Sequence, residues 1–515
     1  MERKMYQIQG KYKAYPVVSL ENRNWPSNTI QVAPILCSVD LRDGNQALIQ
    51  PMNLEEKMEM FQVLIDMQFK EIEIGFPSAS EVEYKFTRKI IEDKCIPRDT
   101  KIQVITQARK ELISKTMDSI KGAENVIIHL YNSTSTIQRN IVFRKSKQEI
   151  INIAVDGVKE IKKQARNFTG NIQLQYSPES FTATELDFAY EMCEAVREEW
   201  NFYGGHNLIL NLPATVEMST PNIFADRIEW FHKHISNRDR ITLSVHTHND
   251  RGCAVAAAEL SVLAGADRVE GTLFGNGERS GNMDIVTFAL NLYTQGVDPK
   301  IDLSNLNRAI HIAEKCNKIK VPERQPYAGE LVYTAFSGSH QDAISKGMRY
   351  RKETEEVFWD VPYIPIDPED IGRTYDSIIR INSQSGKGGV AYVLEKEYGI
   401  SIPKEMQPIV SKEIQKFADE NFSEIGAEEI YNLFSIHFMN ARKNDSELDL
   451  IDIKPIQIIS ELKGDRYICF SRIEYHRHTF WGAYISGDVE DARQNSILSA
   501  YNRFKKSHPG LSNIA

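Results

Sequence analysis

Two histidines one residue apart close the stretch ITLSVHTHND, Ile241 to Asp250. Ile241, Leu243 and Val245 alternate with Thr242 and Ser244, the period of a β-strand. Side chains at i and i+2 of a strand share a face, so His246 and His248 point the same way. Two imidazoles on one face at a strand's end suit a shared metal ion. The HxH pattern fits a polar strand end equally well, and by itself does not choose.

Four other polar segments carry chemistry. DLRDGNQ (40–46) offers Asp43, a carboxylate that would complete an open two-histidine site for a divalent ion, and Arg42 beside it. The alternatives are a turn acid before Gly44 and a rim salt bridge. A permanently charged guanidinium such as Arg42 suits a developing enolate or a polarised carbonyl. SPES (177–180) offers Glu179, to bond substrate or assist a base, or else to serve as a helix N-terminal charge. PATVE (213–217) offers Thr215, a small donor for a substrate carboxylate on position alone. GNGERSGN (275–282) offers Asn282 as a neutral oxygen ligand, and glycine-rich backbone amides for an anion, or a tight turn. Mixed nitrogen and oxygen ligands leave zinc, manganese, magnesium and cobalt open.

These segments serve one site only if the fold brings them together. Each follows or ends a short apolar run, and eight such runs recur: 34–40, 71–76, 101–107, 125–131, 171–177, 207–213, 241–247 and 267–274. Longer stretches of helical character lie between them. In NLEEKMEMFQVLIDMQF (53–69), Asn53 is a candidate N-cap and Glu56 its capping-box partner. Eight strands alternating with helices predict an α/β fold, a (β/α)8 TIM barrel with its site at the C-terminal strand ends. An open doubly wound sheet is the alternative. The count of eight disfavours it, and no GxGxxG follows the first strand.

The pattern changes near residue 300. A helix is expected over 304–319, a Pro-bearing linker over 321–330 and mostly helical structure over 330–440. Three strands (453–462, 465–475, 478–487) and a helix (489–507) then form one βββα unit. We therefore divide the chain into a barrel with an N-terminal extension (1–300), helical linker subdomains (301–445) and a small α+β domain (446–515).

The 515 residues are 41% hydrophobic and 26% charged, with a net charge of −9 and no long basic block, which argues against nucleic-acid binding. Six scattered cysteines without CxxC spacing fit a reducing compartment. The N-terminus lacks a signal-peptide core and no run reaches membrane-spanning length. A cytoplasmic, soluble protein without membrane contact is expected.

DLRDGNQAL, SPESF, HTHND and GNGERSGN together resemble the signature blocks of the metal-assisted barrel enzymes that condense or cleave acyl-CoA at a 2-oxo acid. LNLPATVE (210–217), YAGELVYTAFSGSHQDAISKG (327–347) and VPYIPIDPEDIGRTYDSIIRINSQSGKGGVAY (361–392) resemble the longer subtype of the 2-isopropylmalate synthase family. The likeness runs from about residue 30 to about residue 400. It implies that acetyl-CoA and 3-methyl-2-oxobutanoate give 2-isopropylmalate and CoA. It assigns Asp43, His246, His248 and Asn282 to a divalent metal (magnesium, manganese or zinc), with potassium as a candidate monovalent activator. It assigns Arg42, His129, Thr215 and Glu179 to substrate, and Gly275, Asn276 and Gly277 to the CoA side. His340 in GSHQD and Tyr363 in VPYIP are implied to enter the site from the other subunit of a homodimer, His340 pairing with Glu179 as acid and base.

The C-terminal region departs from that subtype, whose leucine-binding domain has two βββα units where one is expected here. Weakened or absent inhibition by leucine is the expectation. The rival readings are a related synthase for another 2-oxo acid (citramalate or homocitrate type, or a specialised-pathway paralogue), a carbon–carbon lyase, and a catalytically dead barrel. Arg42, Asp43 and both histidines are present, against the last.

Overall fold

In the computed structural model, the structure describes residues 13–201, 208–335, 338–354, 357–373, 387–421, 425–441, 457–475 and 478–508. They form two compact units, Met1–Val332 with Glu369–Arg373, and Tyr333–Pro368 with Thr374–Ala515. The division falls after Val332, beyond the boundary expected near 300.

The first unit is a closed barrel of eight parallel strands in sequence order: Ile35–Ser38 (β1), Glu71–Gly75 (β2), Lys101–Gln107 (β3), Asn125–Ser133 (β4), Asn171–Glu179 (β5), Leu208–Ala214 (β6), Ile241–Thr247 (β7) and Arg268–Gly271 (β8). Pairing of β1 with β8, Ile35 opposite Arg268, closes it. The helices between are Leu54–Asp66 (α1), Glu81–Glu92 (α2), Lys110–Ser119 (α3), Lys147–Ala165 (α4), Leu186–Trp200 (α5), Pro221–His234 (α6), Ala254–Leu263 (α7) and Ile285–Tyr293 (α8). The predicted capping box starts α1: Glu56 N–H donates to the Asn53 side chain and Asn53 N–H to Glu56, both 2.9 Å. Leu306–Asn317 (α9), the helix expected over 304–319, joins this unit beside α1, with Lys315 on Glu59 at 2.6 Å.

Strand alternation explains where the core sits. Ile72 and Ile74 of β2, and Ile102 and Val104 of β3, are fully buried among apolar neighbours. The intervening Glu71, Glu73 and Gln103 are buried too, and bond side chains from strands across the barrel. The interior is thus filled by a polar layer where barrels usually carry branched apolar residues.

The second unit holds helices Gly338–Thr354 (α10), Lys387–Tyr398 (α11), Gln407–Asn421 (α12) and Ala427–Phe438 (α13). Gln457–Lys463 (β9), Arg466–Tyr475 (β10) and His478–Ser486 (β11) form an antiparallel sheet, order β11-β10-β9, followed by Val489–Ser507 (α14). The βββα unit is present, but its sheet is not a separate domain. Ile468, Phe470 and Trp481 share one apolar cluster with Leu394, Val410 and Phe434 of the helices.

Candidate active site

The first turn sets the site. After β1 the chain makes a single π-helical turn, Asp40–Gly44, a shape frequent at functional sites. The Val39 carbonyl accepts from the N–H groups of Arg42, Asp43 and Gly44 at 3.2, 2.9 and 3.1 Å. Asp40 anchors this turn to the β8 loop, accepting from the Ser38 hydroxyl at 2.8 Å and from Leu273 N–H at 3.0 Å. Burial pushes the Asp40 carboxyl up to about 7, against the pull of those two donors.

Asp43, His246 and His248 converge, all buried. The two Nε2 atoms lie 3.1 Å apart, and Asp43 Oδ2 lies 3.3 and 3.4 Å from them. Burial opposes the charge on Asp43, but Arg42 and the two imidazoles hold its carboxyl well below the usual range. Burial pulls His246 down, yet Asp43 and Glu270 raise it to about 9. His248 is lowered, chiefly by burial. Two buried oxygens, Asp43 Oδ2 and Asn282 Oδ1, have no hydrogen-bond donor. Asn282 sits opposite His248 in an antiparallel bridge. Two imidazole nitrogens and a carboxylate oxygen, all within 4.8 Å of one another, are a donor set that fits a divalent cation.

The GNGERSGN loop holds this arrangement. Asn282 Nδ2 donates to the Asn276 carbonyl at 3.0 Å, and Asn276 Nδ2 to the Gly44 carbonyl at 3.1 Å. Gly281 has φ +100°, and a Cβ there would lie 2.0 Å from the Gly275 carbonyl oxygen. The N–H groups of Gly275, Gly281 and Asn282 are spent on carbonyls of Thr272, Glu278 and Gly275, so these three amides are not an anion cradle. Arg279 adopts φ +58°; its Nη2 donates to the Thr215 carbonyl at 2.6 Å and lies 2.8 Å from His248 Nδ1.

A cavity of about 610 Å³ opens over these groups, lined by Arg42, Asp43, His129, Glu179, Thr215, His246 and His248, with Phe76, Ile105 and Pro213 as apolar wall. Arg42 is clamped between Asp43 and Glu73. Glu179, at the end of β5, accepts from the Ser133 hydroxyl. Thr215 Oγ1 accepts from Ser180 N–H at 2.9 Å. His129 lines the cavity with both nitrogens engaged, Nδ1 with Glu73 at 2.6 Å and Nε2 with Ser177 at 2.7 Å. His340 and Tyr363 belong to the second unit. Their rings stack with centroids 4.1 Å apart, and both are exposed. Tyr363 holds a left-handed φ of +66°, a strained conformation for a non-glycine residue.

Sequence reasoning missed the layer beneath the cavity: Glu73, Gln103, Gln175, Asn211, Arg268 and Glu270, all buried. The signal was there. EIEIG, RVEG and NIQLQ place charged or amide side chains at alternate positions of strands whose other face is apolar.

A closed parallel barrel with an open His–His–Asp constellation at its C-terminal mouth defines a barrel enzyme of the metal-assisted kind. Residues 33–312 match the HMGL-like family model, and residues 330–395 match the alpha-isopropylmalate synthase post-catalytic domain-like model. The chain is 47% identical to the 2-isopropylmalate synthase of Clostridium acetobutylicum, over 97% of this chain and 100% of that one. It is 53% identical to the enzyme of that name from Acetoanaerobium sticklandii, over 86% and 80%. It is 56% identical to that from Mesorhizobium japonicum, over 82% and 76%. The chain belongs to the 2-isopropylmalate synthase family of HMGL-like barrel enzymes. Among the described residues no helix is long and apolar enough to cross a membrane.

Proposed function

We propose that this protein condenses acetyl-CoA with 3-methyl-2-oxobutanoate and hydrolyses the resulting thioester, releasing 2-isopropylmalate and CoA, a committed step towards leucine. The convergence of Asp43, His246 and His248 beside Arg42 in one cavity carries the reading. A divalent ion held by Asp43, His246, His248 and Asn282 would supply Lewis-acid polarisation of the 2-oxo group. Magnesium, manganese and zinc all suit those ligands, and potassium is a candidate activator. Arg42, fixed by Asp43 and Glu73, offsets the negative charge that develops on the ketone oxygen. The Thr215 hydroxyl, having accepted from Ser180, keeps its hydrogen to donate to the substrate carboxylate. His129 acts on substrate through the Ser177 and Glu73 groups it orients. Gly275, Asn276 and Gly277 shape the CoA side of the mouth.

The exposed His340–Tyr363 pair supports a site shared between subunits. His340 and Tyr363 of one protomer complete the partner's barrel, and His340 with Glu179 manages the proton taken from the acetyl methyl group. The protein works as a cytoplasmic homodimer. With one βββα unit among the described residues, leucine inhibits it weakly or not at all. The test is product identity. Purified protein supplied with acetyl-CoA, a divalent metal and a panel of 2-oxo acids should yield chiefly 2-isopropylmalate by mass spectrometry. Preferential use of pyruvate or 2-oxoglutarate would replace the substrate assignment.

A further inference from the structure

Resting on the metal site proposed above, we infer that Glu270 is a positioning residue that makes His246 a competent ligand. Glu270 is fully buried on the inner face of β8. Five donors converge on its two oxygens. Oε1 accepts from Arg268 Nη1 at 2.7 Å, Gln175 Nε2 at 2.8 Å and Gln103 Nε2 at 3.2 Å. Oε2 faces His246 Nδ1 at 2.9 Å and accepts from Asn211 Nδ2 at 3.3 Å. A carboxylate saturated this way cannot swing. It accepts the proton on His246 Nδ1, so that Nε2, the nitrogen facing Asp43 and His248, is the one offered to a metal. A carboxylate behind a ligating histidine fixes its tautomer and raises its basicity.

The layer also explains why glutamine cannot substitute. In Glu270→Gln, the amide NH2 cannot face the Oε1 side, where Arg268, Gln175 and Gln103 all donate. It must occupy the Oε2 side and point an N–H at His246 Nδ1. His246 then satisfies the contact only by carrying its proton on Nε2, inside the ligand triangle. The charge and the hydrogen-bond polarity are both lost while side-chain volume is kept. Glu71 is the control. It sits in the same layer, accepting from Arg268 Nε at 2.6 Å and Lys101 Nζ at 3.0 Å, and bonds to none of the proposed ligands.

The experiment is calorimetric titration of the full-length, chelator-stripped protein with Co2+. Glu270→Gln should weaken binding about 10- to 100-fold, while Glu71→Gln retains the wild-type affinity. Equal affinity in Glu270→Gln and wild type overturns the inference and leaves the metal site standing. An equal loss in Glu71→Gln also overturns it, because the layer would then be acting only as scaffold. Absence of Co2+ binding by the wild type overturns the metal reading itself. If Glu270→Gln does not fold, Glu270→Asp decides. It keeps the charge but withdraws the carboxylate from Nδ1, and wild-type affinity there overturns the inference.

Discussion

Replacing Asp40 by Asn tests how the first turn, and with it Arg42 and Asp43, is held. Asp40 is 1% exposed, and its carboxyl is bonded to the Ser38 hydroxyl and the Leu273 N–H. It titrates at about 7 in the fold, against 3.8 ordinarily. A raised carboxyl pKa means that the folded state keeps a proton the unfolded state gives up. The associated stability is complete below the unfolded value, declines as pH rises, and is gone above the folded value. Between pH 5.5 and 7 the loss runs at about 1.4 kcal/mol per pH unit, or about 2 kcal/mol, and then levels off. Asparagine cannot ionise, yet Oδ1 can still accept from Leu273 N–H and Nδ2 can donate to Ser38 Oγ. The stability difference between Asp40→Asn and wild type should therefore shift by about 2 kcal/mol in the variant's favour from pH 5.5 to pH 8. For a unit of this size that is about 3 °C in Tm. Scanning calorimetry of both proteins at both pH values reads it directly, because other titrating groups cancel in the comparison. A gap that does not change with pH would refute the account of Asp40.

His246→Ala or His248→Ala should abolish turnover and divalent-metal binding while leaving circular dichroism unchanged; wild-type turnover in either would remove the metal site. His340→Ala and Arg42→Ala proteins, each inactive alone, should regain activity when mixed and allowed to exchange subunits, and failure despite shown exchange would count against a shared site. Gly281→Ala should lower Tm by several degrees and cut activity, since its Cβ meets the Gly275 carbonyl, whereas Gly252→Ala, also at positive φ but with open space, should cost only the backbone strain of about 1–2 kcal/mol and leave activity unchanged; equal effects would refute the packing argument. Millimolar leucine should leave the initial rate nearly unchanged, and strong inhibition would overturn the reading of the C-terminal unit.

The barrel was legible because period-two apolar runs and turn residues at their ends are local signals. The expected starts and ends of β3 and β7 coincide with the strands observed, and the Asn53–Glu56 box forms as written. The convergence of Asp43, His246 and His248 was legible for the same reason: HxH fixes a shared face, and a barrel brings every strand end to one mouth. The polar layer escaped because its meaning is non-local. Glu73, Gln103 and Glu270 look like ordinary polar strand positions until strand order makes them neighbours. The partition of the C-terminal half escaped for a similar reason. Whether a βββα unit stands alone depends on what covers its sheet, and Phe470 and Trp481 bury themselves in one cluster with helices more than thirty residues upstream.

The most direct test of the central claim is thiol release from acetyl-CoA in the presence of 3-methyl-2-oxobutanoate, before and after chelation and again with Mn2+ or Zn2+ restored. The account predicts rapid CoA release that disappears on chelation and returns with the metal. Release that persists in stripped protein, or none with the metal restored, would contradict it.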